Sequence, residues 1–191
     1  MLERGFLLPS SEIYPDAPAG FWEYGPLGVA FKNRYVELWR RELVRRDGMV
    51  EIDGAQVMAK SVFVASGHLE GFSDPIVSCL RCKTILRADR LIQEKTGRIV
   101  PERLSDDELD RLIHDAGIVC PRCGGEFGKV SRFNMMFRLS IGPSGEEAYL
   151  RPETCQSIFV DFPRLFKIMR CKLPVAFAQL GKSFRNEISP R

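Results

Sequence analysis

No apolar run in this 191-residue chain approaches the roughly 18 residues that a membrane-spanning helix needs, so a helical membrane protein is excluded. The opening stretch, MLERGFLLPSSEIYP, has a charge pair and a short apolar patch broken at Pro9, a pattern unlike a secretory leader. Internal repeats and low-complexity tracts are absent. A strong excess of charge is absent too: 28 basic against 25 acidic residues leave +3 and a pI near 8.6, which permits an anionic partner without requiring one. Histidine is scarce, with two residues in all. His114 stands beside Asp115 on a helix and suits a solvated face, whereas His68 lies in a Gly-flanked loop, where functional side chains concentrate. What is present is ordinary for a folded domain: 45% hydrophobic and 28% charged residues, enough for one core with an insertion. Arginine supplies 20 of the 28 basic residues, the side chain suited to forked contacts with phosphate or carboxylate, although a G+C-rich genome gives the same bias. The expected setting is cytoplasmic, where thiols stay reduced and paired cysteines point to metal before disulfide.

The periodicity predicts a long amphipathic helix from Leu27 to Arg46. Leu27, Phe31, Tyr35, Leu38, Trp39 and Leu43 share a broad face, five arginines lie mostly between them, and Gly48 offers the stop. Such a stripe suits core packing or, in part, a partner chain. Met49 to Val64 reads as strand, and the run from Ser66 to Pro75 as loop. A different composition occupies residues 79–128, and within it Ser105 to Gly117 has a capping box, Ser105 with Glu108, ahead of Leu109, Leu112, Ile113 and Ala116. Beyond it, residues 147–151 read as strand and 154–162 as a short helix stopped by Pro163, with the following RLFKIM resuming it. Residues 175–187 read as two strand-like runs joined at Gly181. Strands, helix and strands around an insertion imply an α+β fold, an antiparallel sheet flanked by helices. The segments are 1–78, 79–128 and 129–191.

Cys79-Leu-Arg-Cys82 and Cys120-Pro-Arg-Cys123 form a CxxC…CxxC pair. Each tight turn brings two thiolates to one ion and two turns complete a tetrahedron, the arrangement of structural Zn²⁺. The 37 residues between the pairs exceed the usual zinc-ribbon spacing, which leaves room for a helical excursion. Reduced turns without metal, or a redox pair, are the alternatives. Cys155 and Cys171 stand alone in apolar surroundings and suit small buried hydrophobes.

Near the end, Gly-Lys-Ser-Phe-Arg-Asn-Glu occupies residues 181–187. On a strand, Arg185 and Glu187 share a face and Asn186 takes the other. A cation and an anion on one face suit a substrate carrying both charges, although a surface ion pair would look the same.

The wider context shifts the balance toward substrate. FRNEISPR resembles motif 2 of class II aminoacyl-tRNA synthetases. GFLLPSSEIY, YGPLGVAFKN, ASGH, RADRLI, FNMMF, LRPETCQSIF and LPVAFAQLGKSFRNEISPR, in that order, resemble blocks of glycyl-tRNA synthetases of the archaeal and eukaryotic type, over nearly the whole chain. The resemblance implies a partial class II core with a zinc-ribbon-like insertion. It implies activation of glycine with ATP, Mg²⁺ assisting, to glycyl adenylate, and transfer to the acceptor end of tRNA(Gly). The helix from Leu27 corresponds to motif 1, which builds the homodimer. Arg185 would hold the α-phosphate and the glycine carboxylate as the catalytic residue, with Asn186 and Glu187 also on ATP. Glu153 would accept the glycine ammonium, and Arg87 would contact substrate. The alternatives are that Glu153 only favours the N-terminus of the following helix and that Arg87 only neutralises the nearby thiolates.

Some positions depart from the family pattern. Cys155 and Ser157 stand where Ala and Gly are usual, Arg90 replaces a usual His, and no proline lies between Gly54 and Phe63. Glycine is selected by excluding side chains, so Ser157 is expected to crowd the pocket further or shift the helix. A second motif 2 strand, motif 3 and an anticodon-binding domain are expected beyond Arg191, so the chain would carry about half of an ATP site and weak activity or none. The other outcome is a zinc-stabilised, non-catalytic module that binds tRNA or a partner chain.

Overall fold

A computed structural model describes residues 2–101 and 104–187. In chain order its strands and helices are β1 (Leu7–Pro9), β2 (Trp22–Tyr24), α1 (Pro26–Trp39), β3 (Val50–Ile52), β4 (Val57–Ala59), α2 (Lys60–Ala65), α3 (His68–Gly71), β5 (Ser73–Ser78), β6 (Ile85–Arg87), α4 (Ala88–Thr96), α5 (Asp106–Asp115), β7 (Ser131–Asn134), β8 (Arg138–Ile141), β9 (Glu146–Leu150), α6 (Cys155–Ile168) and β10 (Phe177–Gln179). Two compact units result, one of Met1–Met58 with Leu150–Arg191, the other of Ala59–Tyr149. No helix among the described residues is long and apolar enough to cross a membrane.

In the first unit, Pro26 starts α1 where its missing N–H costs nothing. The helix continues into a π-helical stretch, Arg40–Arg45, and ends at Gly48, whose φ of +62° suits a residue without Cβ. The helix is therefore as long as its periodicity implies, but among the described residues its stripe is largely exposed. Val36 and Val44 are buried, whereas Phe31 and Tyr35 are 65% and 62% exposed and Leu27, Leu38 and Leu43 are also exposed. Its arginines do not form a bare basic stripe either: Arg40, Arg41, Arg45 and Arg46 pair with Glu51, Glu42, Glu37 and Asp47. β1 and β2 pair antiparallel, Leu7 opposite Tyr24. β10 runs parallel to β3, Phe177 opposite Val50, so the sheet is not wholly antiparallel as expected.

The core of the second unit is Val77, Ala88, Leu91, Ile92, Leu109, Ile113, Ile118 and Val130. It joins the antiparallel sheet β6-β5-β7 to α4 and α5. The capping box is present, with Ser105 accepting from Glu108 N–H and Glu108 accepting from Ser105 N–H. A cap contributes about 1 kcal/mol, whereas each fully buried Leu or Ile contributes about 1.5–3 kcal/mol, so Leu109 and Ile113 hold α5 more than its cap does. β8 and β9 form a hairpin, Leu139 opposite Ala148, and Phe63, with no exposed surface, packs edge-on to Tyr149 and His68.

Several local expectations change. Residues 60–65 are helix rather than strand, and the expected loop contains α3 and the start of β5. α6 runs through Pro163, and the adjoining Phe162 packs on Phe166 one turn later and on Phe177 of β10. Residues 181–187 have no strand partner along a ladder, so only the first of the two expected runs, β10, is a strand.

Candidate functional site

The four paired cysteines converge. Their sulfurs all lie within 4.8 Å of one another, with Cys79 Sγ 3.5 Å from Cys123 Sγ and Cys82 Sγ 3.7 Å from Cys120 Sγ. Two similar knuckles produce this. In the first, Cys79 N–H donates to Thr84 O at 2.9 Å and Lys83 N–H to Cys79 O at 3.0 Å; in the second, Cys120 N–H donates to Gly125 O at 2.9 Å and Gly124 N–H to Cys120 O at 2.8 Å. Lys83 and Gly124 take the same place in their turns, both left-handed, with φ of 58° and 70°. Gly125 is required by space: a Cβ there would lie 2.8 Å from Arg81 Cβ and 3.2 and 3.3 Å from the sulfurs of Cys79 and Cys123. Metal–sulfur bonds of about 2.3 Å in a tetrahedron separate sulfurs by about 3.8 Å, so the four thiols fit a thiophilic cation.

Their environments differ. The Cys82 N–H holds the Cys79 thiol below its ordinary value. Hydrogen bonds from Thr84 pull Cys82 down to about 6. At Cys123 a bond from the Gly125 backbone favours the thiolate, but burial and the competing Cys82 and Cys79 sulfurs push the thiol up to about 11. Without metal the cluster shares protons unevenly, and a cation must displace those that remain.

Arg87, at the end of β6 in the same unit, is engaged by two carboxylates. Its fork grips Asp89, Nε to Oδ1 at 3.1 Å and Nη2 to Oδ2 at 2.6 Å, while Nη1 reaches the buried Asp74 at 3.0 Å. Burial opposes the charge on Asp89, but that fork and the Arg90 N–H hold its carboxyl below the usual carboxylate range. These side chains, with Ser73 and Arg132, line a cavity of about 210 Å³.

In the first unit a residue given no role from the sequence organises the segment around Glu153. Arg151 has no exposed surface. Its Nε donates to Lys182 O at 2.8 Å and Nη1 to Gly54 O at 3.0 Å; its backbone N–H donates to Gln56 O at 2.8 Å, and its carbonyl accepts from Phe184 N–H at 2.9 Å. These bonds place residues 182–184, just before Arg185, beside the strand end that leads into Glu153. Arg185 and Glu187 are exposed and Asn186 is half-buried, the alternation expected of an extended chain. Glu153 is half-buried, and its Oε1 accepts from Gln156 Nε2 at 2.5 Å and from the Cys155 thiol at 3.0 Å. Burial, then the neighbouring Glu153, pushes the Cys155 thiol up, so Cys155 stays protonated as a donor. Ser157 is accommodated by Gly54: a Cβ on Gly54 would overlap Ser157 Cβ and lie 2.6 Å from its Oγ. His68 Nδ1 bonds Ser66 Oγ at 2.8 Å between Phe63 and Phe72, and His114 is exposed beside Asp115.

No protein-family model matches the chain. Among curated proteins, glycine–tRNA ligase of Methanothrix thermoacetophila is 49% identical over 189 residues, 98% of this chain and 32% of the relative. That of Aeropyrum pernix is 49% identical over 191 residues, 98% of this chain and 32% of the relative. That of Methanothermobacter thermautotrophicus is 48% identical over 190 residues, 99% and 33%. Over almost all of its length the chain is thus similar to archaeal glycine–tRNA ligases, and it spans about a third of the length of these relatives.

Proposed function

We propose that this chain is the part of a glycine–tRNA ligase that grips glycine and the α-phosphate of ATP. The observation that carries the reading is sequence identity of 47–49% to ligases over 98% of the chain, covering the Arg151–Glu153 and Phe184–Glu187 runs. In this reading Glu153, oriented by Gln156 and Cys155, accepts the glycine ammonium. Arg185 lies against the glycine carboxylate and the α-phosphate, where negative charge gathers as the carboxylate attacks and pyrophosphate leaves. Asn186 and Glu187 contact ATP, Mg²⁺ binds with the nucleotide, and Arg87, set by Asp74 and Asp89, contacts substrate. The product is glycyl adenylate, destined for the acceptor end of tRNA(Gly). The tetrathiolate holds structural Zn²⁺ in the zinc-ribbon-like segment 79–128 of a class II core, between segments 1–78 and 129–191, and the protein works in the cytoplasm.

The test is glycine-dependent exchange of pyrophosphate into ATP. Exchange by the chain is expected to fall about 100-fold or more in Arg185→Ala, the scale of losing a main stabiliser of developing charge. Equal rates in the two proteins, or exchange indifferent to glycine, would overturn the assignment.

The outward stripe of α1 supports the homodimer. Phe31 and Tyr35 together expose an aromatic patch beside Leu27, Leu38 and Leu43, and buried aromatic anchors carry much of an interface's energy. Phe31→Asp with Tyr35→Asp is expected to weaken self-association by about 100-fold or more in sedimentation velocity. A chain that sediments identically with and without the pair of aspartates would count against this face. The non-catalytic alternative, a zinc-stabilised tRNA-binding module, draws support from Arg81, Lys83 and Arg122, all exposed on the knuckles.

A further inference from the structure

The cluster's accessible and buried thiols are not arranged at random. Cys79 and Cys120 are buried, with 0% and 2% of their surface exposed, while Cys82 and Cys123 are half-buried. Among four sulfurs that all lie within 4.8 Å of one another, two contacts join one accessible thiol to one buried thiol of the other knuckle: Cys123 to Cys79 at 3.5 Å, and Cys82 to Cys120 at 3.7 Å. All six cysteines of the chain are free.

We propose that the tetrathiolate is a peroxide-responsive lock, which exchanges its metal for two disulfides across the knuckles, Cys79–Cys123 and Cys82–Cys120. The metal-release half rests on the Zn²⁺ reading above; the pairing does not. Hydrogen peroxide or a related hydroperoxide is the oxidant. Cys82 or Cys123 attacks the peroxide as its thiolate, a Cys123 thiol first giving its proton to solvent, the O–O bond breaks, and a sulfenic acid forms with loss of water after protonation. The buried sulfur opposite then attacks that sulfenic sulfur, the S–O bond breaks, and a second water leaves as the disulfide forms. Each pair thus gives up two electrons to one peroxide, and two peroxides oxidise the site. With Zn²⁺ bound, four thiolates lose four electrons, four protons are taken up from solvent into four waters, and the ion leaves because no disulfide sulfur is an anionic ligand. Because each bridge joins one knuckle to the other, the turns remain tethered at the end of β5 after the ion has gone. The device therefore separates loss of metal from loss of the cluster's connectivity, and reduction by thiols resets it.

The sequence makes the pairing measurable. Arg81 lies between Cys79 and Cys82, and Arg122 between Cys120 and Cys123, so trypsin puts all four cysteines on separate peptides. The chain is purified reduced, its zinc quantified, then treated with hydrogen peroxide, alkylated and digested without reductant. The expected result is peptide pairs 79/123 and 82/120, free thiols falling from about six to about two per chain, and release of about one Zn²⁺ to a chromogenic chelator. Dithiothreitol restores both thiols and metal binding. Bridges within a knuckle, bridges between chains, sulfinic acid at Cys82 or Cys123 without a bridge, or four unreacted thiols would each overturn the lock. The map of the unsubstituted chain decides the matter. A chain that holds no zinc before oxidation but gives the two crossed bridges refutes the metal reading alone.

Discussion

Chelating the Zn²⁺ proposed for the tetrathiolate is expected to unfold the two knuckles, residues 79–84 and 118–128, well before the rest of the chain is denatured. The reason lies in how little else fastens the knuckles. Their turns carry backbone hydrogen bonds, but Leu80 and Val119 are exposed, and Cys79 and Cys120 are the apolar groups each knuckle buries. Structural zinc contributes roughly 10–16 kcal/mol in small fingers, more than any cap or ion pair in this unit can replace. Amide hydrogen exchange read by mass spectrometry should show protection across 79–84 and 118–128 fall at least about 100-fold on chelation, and Cys120→Ser should do the same without a chelator. Unchanged protection in both would mean that the fold of the knuckles does not depend on metal. Acid should act like the chelator. Cys123 has its thiol pushed up to about 11 and Cys82 its thiol pulled down to about 6 by Thr84, so protons already compete for Cys123 as pH falls below about 11, and metal affinity should decline from there and more steeply once the pH passes below about 6. A metal affinity that is flat from pH 8 to about pH 5 would contradict the thiolate ligand set.

What could be read from the sequence depended on whether a signal was local. The capping box of Ser105 and Glu108 acts within one turn, and it is there. The CxxC turns are local as well, and they bring their thiols together although 37 residues intervene. The stripe of α1 is equally legible as a helix, but periodicity cannot tell a face that meets its own core from one that meets another surface. Pro163 reads as a stop because a proline removes one helical bond, yet α6 continues through it, and the contact of Phe162 with Phe177, 15 residues away in β10, has no local signal. Arg151 is the clearest omission. Its partners are backbone carbonyls of Gly54 and Lys182, and a carbonyl is present at every residue, so no residue type in the sequence announces the contact. The parallel pairing of β10 with β3 is hidden for the same reason, since strand direction is settled by distant partners.

Replacing Gly54 with alanine is expected to lower stability by about 3 kcal/mol, an overpacking penalty joined to a weakened buried, charge-assisted hydrogen bond. The methyl would overlap Ser157 Cβ and lie 2.9 Å from Gln179 Oε1. Retreat is blocked on the other side, because Gly54 O accepts from Arg151 Nη1 at 3.0 Å and Arg151 is sealed from solvent. Moving the loop outward therefore lengthens a bond to a buried cation, and moving α6 outward shifts Cys155 and Gln156, the two donors that set Glu153. Ser157→Gly alone should cost about 0.5 kcal/mol, since serine is itself a poorer helix former than alanine and residue 157 lies in the first turn. It also removes the atoms with which the new methyl collides, so the double variant should lose about 1–2 kcal/mol less than the sum of the single changes. Chemical denaturation measures all four proteins, and losses that simply add would show that the two residues do not share this space. The same cycle bears on glycine recognition. If the first turn of α6 positions Glu153 for an ammonium group, Gly54→Ala should weaken binding of glycine along with stability, and Ser157→Gly in the same chain should restore both.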